Sequence, residues 1–322
     1  MIKFLFKLSF LFLAVLMKSE TRAQTRIDTT EYLLVGGIKQ AVKIEGADLS
    51  KPLFLFITGG PGSEGIYNEN KAYLDKLKKY FVVVAWDQRN CGKTLEINPS
   101  PVKLTVKLYE NDTYELISAL LKQFHQKKLF VMGWSWGTVL GFYMAAKHPE
   151  MVYAYMAVSP AVNQWESERL SLKELKQKAA RKKNKQAMIE LSKVKIPFEN
   201  GEQNYYDRKW LSIFNGETIE DTVAFKKYFT ENSEMIALFR EANFINLPVS
   251  LPRVKCPVYF FVGRKDHQTN YLISQKYYKQ IQAPKKGLYW FERSGHLIPV
   301  TEPDLMQQVV IDKILPQFKL SN

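Results

Sequence analysis

Leu129-Phe130-Val131-Met132-Gly133-Trp134-Ser135-Trp136-Gly137 is the stretch that decides the fold. Four apolar, β-prone residues run into Gly-x-Ser-x-Gly, a pattern that turns a chain sharply from strand to helix with a serine at the tip. The turn crowds the backbone, so small residues are needed on both sides, and Gly133 and Gly137 meet that need. Thr138 to Ala146 then reads as a buried helix ending at His148-Pro149. A serine so placed is presented at the carboxyl end of a sheet. The bland alternative is a tight turn with an idle serine.

Outward from the serine the chain alternates. Tyr32–Val35 and Gln40–Ile44 read as strands joined at Gly36-Gly37, an antiparallel opening hairpin. Strands are expected at Leu53–Ile57, Phe81–Trp86, Leu129–Met132 and Val152–Val158, and helices at Asn70–Tyr80 and Tyr109–His125. Leu116, Leu120 and Phe124 share one face of the latter. Continuous apolar runs suit parallel strands covered on both faces, and strand–helix alternation implies an α/β fold. The alternation stops at Ser159-Pro160. Helical stretches follow (Gln164–Lys185, Gln203–Phe214, Asp221–Phe229, Ser233–Phe244) with no convincing strand. It resumes with strand Cys256–Val262, helix Asn270–Ile281, strand Gly287–Phe291 and helix Glu302–Leu315. The expected organisation is an α/β core over 24–160 and 252–322, with a helical cap over 161–251.

The bulk properties narrow the class. The chain has 322 residues, 46% of them hydrophobic, so a large core is available. The net charge of +14 raises nucleic-acid binding, but the basic residues are scattered. The densest run, Lys173 to Lys185, reads as a solvated helix face that could also attract anionic surfaces. Residues 1–23 have a basic start, an apolar run from Phe4 to Met17 broken by Lys7, and a polar end at Ala23. That is the layout of a secretory signal peptide. The apolar run is short for a membrane span, which needs about 20 residues. Export is therefore expected, with no membrane span in the mature chain and no nucleic-acid partner. Cys91 and Cys256 fall at opposite edges of a parallel sheet and are expected to stay unpaired. No Cys/His spacing suggests a metal, and no cofactor is expected.

A nucleophilic serine needs a base, and the base needs an orienting acid. Among four histidines, His125 ends a helix far from the serine and His148 caps one before a proline. His296 lies on the loop after the last core strand, in Ser294-Gly295-His296-Leu297-Ile298. Asp266 lies beside His267 on the loop after another strand. The order Ser135, Asp266, His296 matches serine, acid, histidine. Asp87 and Glu292 are weaker candidates for the acid. The oxyanion donors are expected from the backbone N–H of Trp136 and of Gly60, in the loop Thr58-Gly59-Gly60-Pro61-Gly62. Gly59 is expected to line the substrate site. Asp87-Gln88-Arg89-Asn90-Cys91-Gly92-Lys93-Thr94 ends like a phosphate-binding loop, but its first glycine position holds Asp87, and no helix is expected after Thr94.

Together these segments resemble the prolyl aminopeptidase (proline iminopeptidase) family of α/β-hydrolases. The family shows His-Gly-Gly-Pro-Gly, Asp-Gln-Arg-Gly-x-Gly-x-Ser, Gly-x-Ser-Trp-Gly and a helical cap before the acid. Here they stand as Thr58–Gly62, Asp87–Thr94, Gly133–Gly137 and the insertion at 161–251. Thr58 replaces histidine, Asn90 replaces glycine and Thr94 replaces serine. The resemblance implies Ser135 as nucleophile, His296 as base then acid, and Asp266 as its orienter. It also implies cap glutamates that hold a substrate's free amino group. One of those positions is Asn215 here, with Glu217 two residues on, and Glu241 matches the second. Three readings follow. The first is an aminopeptidase releasing N-terminal proline or a small residue from short peptides. The second is an esterase or amidase of small metabolites on the same triad, and the third a non-catalytic ligand binder.

Overall fold

The structure, a computed structural model, describes residues 25–66, 72–231 and 233–319. The signal-peptide expectation lies outside the described residues. The hairpin β1 (Ile27–Val35) and β2 (Ile38–Gly46) turns at Gly36 and Gly37 with φ of 55° and 77°. Two successive positive φ values match the right-handed twist of paired strands, which is why glycine serves there. β2 runs antiparallel to β4 (Val82–Trp86). The remaining strands are parallel: β3 (Leu53–Ile57), β5 (Leu129–Trp134), β6 (Val152–Val158), β7 (Val258–Gly263) and β8 (Lys286–Phe291). The sheet order is β1-β2-β4-β3-β5-β6-β7-β8.

Alternate residues of the fully buried strands feed two cores. Leu53, Leu55 and Ile57 pack on one face with the helices α2 (Val106–Gln123), α3 (Gly137–Lys147) and α10 (Tyr271–Gln280). Phe54 and Phe56 pack on the other with Tyr73, Leu77 and Met306 of α12 (Pro303–Val309). This two-sided burial explains the unbroken apolar runs. Between β6 and β7 stand α4 (Gln164–Arg181), α5 (Lys185–Ser192), α6 (Gly201–Asn215), α7 (Thr222–Thr230), α8 (Ser233–Ala242) and the short α9 (Leu247–Ser250). Leu172, Leu175, Leu191, Phe198 and Trp210 form a separate core there. The two ends of the helices α4 to α8 lie side by side: Leu247 N–H donates to Val162 O at 2.9 Å, beside a bridge between Asn163 and Asn246.

Several elements depart from the sequence reading. In the region 70–80, the described residues form two 3₁₀ turns, Ala72–Leu74 and Leu77–Lys79, rather than one α-helix. A short helix, α1 (Gly92–Ile97), does open after Cys91 and stops before Pro99, correcting the expectation that none follows. It does not restore a phosphate loop, because Asp87 carboxylate oxygens accept the N–H groups of Gly65, Ile66 and Lys93 at 2.6, 2.8 and 2.9 Å. The helix expected over Gln164–Lys185 breaks at Lys183, whose φ is 50°, and Asn184 caps the next one by accepting Ala187 N–H at 3.0 Å. A further short helix, α11 (Ile298–Thr301), precedes α12, and the last stretch widens into a π turn at Val310–Ile314. Cys91 and Cys256 are buried and are not joined to each other by a disulfide. No helix among the described residues is long and apolar enough to cross a membrane.

Candidate active site

The loops after β3, β5, β7 and β8 meet at the carboxyl edge of the sheet. The sharpest is the elbow between β5 and α3. Ser135 has a φ of 53°, a conformation that costs a non-glycine residue about 1–3 kcal/mol. Packing holds it there. Ser135 N–H donates to Val158 O at 3.0 Å, and the flanking glycines leave no room for a side chain. A Cβ on Gly133 would lie 2.4 Å from Gly137 O, and one on Gly137 would lie 2.2 Å from Ile57 O.

His296 Nε2 lies 2.9 Å from Ser135 Oγ, and its Nδ1 lies 3.1 Å from Asp266 Oδ2. The histidine backbone is pinned as well: Trp134 Nε1–H and Ser159 Oγ–H donate to its carbonyl oxygen at 3.1 and 2.9 Å. Asp266 is buried. Its Oδ1 accepts the N–H groups of Gln268 and Thr269, each at 3.0 Å, and its Oδ2 accepts the Thr269 hydroxyl at 2.8 Å. Burial alone would push this carboxyl up. The His296 pair and the donors from His296 and Thr269 outweigh burial and hold it below the usual carboxylate range. The weaker acid candidates are engaged elsewhere: Asp87 with the amides above, and Glu292 with Arg264 at 2.8 Å.

The glycine loop approaches the serine from β3. A Cβ on Gly59 would lie 3.2 Å from Ser135 Cβ and 3.7 Å from Oγ, so the loop backbone runs beside the hydroxyl. Gly60, with φ of 113°, starts a turn that a Cβ would obstruct at 2.5 Å from Gly62 N. Trp136 stands at the start of α3, where backbone N–H groups lack intrahelical acceptors. Gln88 ties the two segments together. Its Nε2 donates to Thr58 O at 3.2 Å, and its Oε1 accepts Trp136 Nε1–H at 3.0 Å. Behind it, Arg89 and Asp112 form a fully buried pair at 2.9 and 3.0 Å, and Arg89 also donates to Gly36 O at 2.8 Å. The Asp87–Thr94 segment is thus scaffolding that joins the opening hairpin to the glycine loop.

At the serine lies a cavity of about 870 Å³ whose lining includes residues of α6, α7 and α8. Gly59, Gly60, Ser135 and His296 line it, and so does Asn215 at the end of α6. Glu241 does not. Its carboxylate accepts the N–H of Val106 at 3.1 Å, capping α2 away from the cavity. The cavity carboxylates are instead Glu217, Glu231 and Glu234, the last receiving Asn90 Nδ2–H at 2.9 Å. Asn90 has a φ of 56°, a left-handed conformation that asparagine tolerates where the family shows glycine.

The sequence reading missed Asn204 and Arg208. Both line the cavity, and both are buried. Arg208 is clamped by Glu168 of α4, with one contact at 2.9 Å, and by Asp207 at 2.6 Å. Burial pushes the Asp207 carboxyl up to about 7, against the opposing pull of Arg208. Asn204, Arg208 and Asn215 recur at helical spacing with Leu211 between them, so three polar residues on one face of α6 were the available signal. His267 also lines the cavity, with its Nδ1 2.7 Å from Glu174 Oε2. No group of three His, Cys, Asp or Glu among the described residues is arranged to hold a metal ion.

A parallel sheet with a strained serine elbow and a cavity built over its carboxyl edge defines a hydrolase. Residues 52–303 match the α/β hydrolase fold family, and the chain belongs to it. A probable aminopeptidase, YbaC, of Bacillus subtilis is 29% identical over 307 residues, covering 85% of this chain and 92% of that one. A putative proline iminopeptidase of Mycoplasma genitalium is 33% identical over 132 residues, 40% of this chain and 39% of that one. In fold, the solved proline iminopeptidase of Mycobacterium smegmatis superposes with a TM-score of 0.62 at 17% identity, covering 88% of this chain and 96% of that one.

Proposed function

We propose that the protein is a serine hydrolase whose nucleophile is Ser135, with His296 as general base and then acid, and Asp266 as its orienter. The observation that carries this is the relay of contacts from Asp266 through His296 to Ser135 Oγ at 3.1 and 2.9 Å. Attack by Ser135 on a carbonyl passes its proton to His296 Nε2, which returns it to the leaving group. A water activated by the same nitrogen then hydrolyses the acyl-enzyme, releasing the acyl group as an acid while the proton returns through His296 to Ser135 Oγ. The N–H groups of Gly60 and Trp136 are assigned to the oxyanion. The substrate reading is an aminopeptidase that releases N-terminal proline or a small residue from short peptides. The aminopeptidase named among the relatives and the carboxylates Glu217, Glu231 and Glu234 in the cavity support it. Residues 161–251 are proposed to act as a cap that limits substrate size, and residues 1–23 as a signal peptide that directs export.

The placement of Glu241 and the amide at Asn215 favour a second reading, an esterase or amidase of small metabolites. The test is hydrolysis of a prolyl anilide, its N-acetylated form and simple esters, with Ser135→Ala as control. An aminopeptidase cleaves the free-amine anilide far faster than the acetylated one, whereas an amidase does not discriminate. Undiminished hydrolysis by Ser135→Ala, or no labelling of Ser135 by a fluorophosphonate, refutes the catalytic assignment and leaves a ligand binder. N-terminal sequencing of the exported protein tests the signal peptide.

A further inference from the structure

A second cavity of about 220 Å³ opens beside the first and shares Leu211, Asn215 and His267 with it. Its far wall is α4, which contributes Ser171, Glu174, Lys178 and Arg181. These recur every three or four residues and so lie along one face of the helix. The charge there is lopsided. Two cations, Lys178 and Arg181, face the single carboxylate of Glu174, whose Oε2 lies 2.7 Å from His267 Nδ1. Lys178 donates one N–H to Phe214 O and has two more to offer. Burial first, then the neighbouring charges of Lys182 and Arg181, hold the Lys178 ammonium below its usual pKa, against the opposing pull of Glu174. Further in, Ser171 Oγ is fully buried and has no hydrogen-bond partner, a donor left for something that enters the pocket.

Asn215 stands at the junction of the two cavities. A carboxylate at that point would repel an anion passing toward Lys178 and Arg181, whereas the amide lets it through.

We propose that this side pocket receives a carboxylate carried by the substrate while its scissile carbonyl sits at Ser135. Lys178 and Arg181 supply the charge, and Ser171 supplies the inner donor. The inference rests on the hydrolase reading above and deepens it: the preferred substrates are acids. The carboxylate has two sources, the C-terminus of the departing fragment or the side chain of the acyl residue.

The experiment compares kcat/KM within matched pairs. Prolyl-alanine against prolyl-alaninamide reads the first source, and glutamyl anilide against glutaminyl anilide reads the second. We expect the acid to be preferred about tenfold in one pair, the effect of a single charge-assisted hydrogen bond at a partly exposed site. The pair that responds identifies the source. Lys178→Met with Arg181→Ala brings that ratio to about one, Arg181→Lys retains part of it, and Asn215→Glu lowers it. Because each ratio is taken within one protein, a variant of reduced activity still reports. Calorimetric binding of the same pairs to Ser135→Ala makes the comparison without turnover. Ratios near one in the unmodified protein, or a preference that survives the double variant, overturn the proposal. Neutral substrates cleaved as well as acids, with Ser135 still labelled, sink the side pocket alone. Loss of labelling sinks the hydrolase reading itself.

Discussion

Asp266→Asn probes the candidate relay at the atom where geometry and protonation meet. The substitution keeps the shape but replaces one carboxylate oxygen by an NH₂ group. Oδ1 accepts two backbone N–H groups, from Gln268 and Thr269, each at 3.0 Å. If the NH₂ took that position, two donors would face it and two buried hydrogen bonds would be lost, at about 1–3 kcal/mol each. The amide oxygen therefore stays at Oδ1, and the NH₂ points at His296 Nδ1 and the Thr269 hydroxyl. His296 Nδ1 must then accept, so the ring proton moves to Nε2, facing Ser135 Oγ at 2.9 Å. A histidine protonated there cannot take the serine's proton. The expected loss in kcat at neutral pH is about 10⁴-fold, the size of the effect when the orienting aspartate of a chymotrypsin-type triad is changed in the same way, or about 5.5 kcal/mol of barrier. The assay is steady-state hydrolysis of a reactive ester, with circular dichroism to show that the fold is intact. Activity within tenfold of the unmodified enzyme would refute the assignment of Asp266 as orienter. The same variant has a pH signature. The folded pKa of Asp266 is lowered, so its carboxylate contributes stability above the unfolded value of about 3.9 and loses it as pH falls through the folded pKa. Asp266→Asn lacks that component, and its Tm falls less steeply below about pH 4.

Gly137→Ala places a Cβ 2.2 Å from Ile57 O, where backbone must move, and is expected to cost several kcal/mol of stability, read as a lower midpoint in urea. Arg89→Ala leaves the fully buried Asp112 carboxylate without its cation, with Gln40 Nε2–H as a neutral donor at 2.8 Å, and is expected to cost about 3–5 kcal/mol; a midpoint unchanged in urea would show that the pair is not structural. Asp207→Asn acts in the opposite direction. The folded pKa is raised by burial, so the penalty for ionising Asp207 appears as pH rises from about 4 toward about 7. The variant is expected to melt above the unmodified protein at about pH 8 and to converge with it only below about pH 4, as followed by scanning calorimetry.

What the sequence disclosed, and what it hid, divides along physical lines. The elbow was legible because its constraint is local: a Cβ at 133 or 137 collides within a few residues of chain or with the adjacent strand. The apolar strands were legible because both faces are buried, so no alternation obscures them. The positions of Asp266 and His296 followed from strand order alone. By contrast, the fate of Glu241 depends on where α2 begins, 135 residues earlier in the chain, and no local pattern announces that its carboxylate will cap Val106. Arg208 escaped for the same reason, since its partner Glu168 lies 40 residues away on another helix. The turns at 72–79 carried helix-forming lysines and leucines, but tertiary packing of Tyr73, Leu74 and Leu77 against Phe56 and Phe81 overrode propensity.

The helices α4 to α8 leave and return beside one pair of neighbouring residues, Val162 and Leu247. A chain segment joined this way is a plug-in part. Its two ends already lie side by side, joined by the Leu247 N–H to Val162 O hydrogen bond beyond the ends of the sheet strands. A turn of a few residues across the Asn163–Asn246 bridge would span the same gap. If the segment acts as the cap proposed above, substrate choice and chemical machinery are free to change separately. Exchange of this segment with that of a related hydrolase, spliced at the bridge, is expected to carry the donor's preference for substrate while the serine, histidine and aspartate stay where they are.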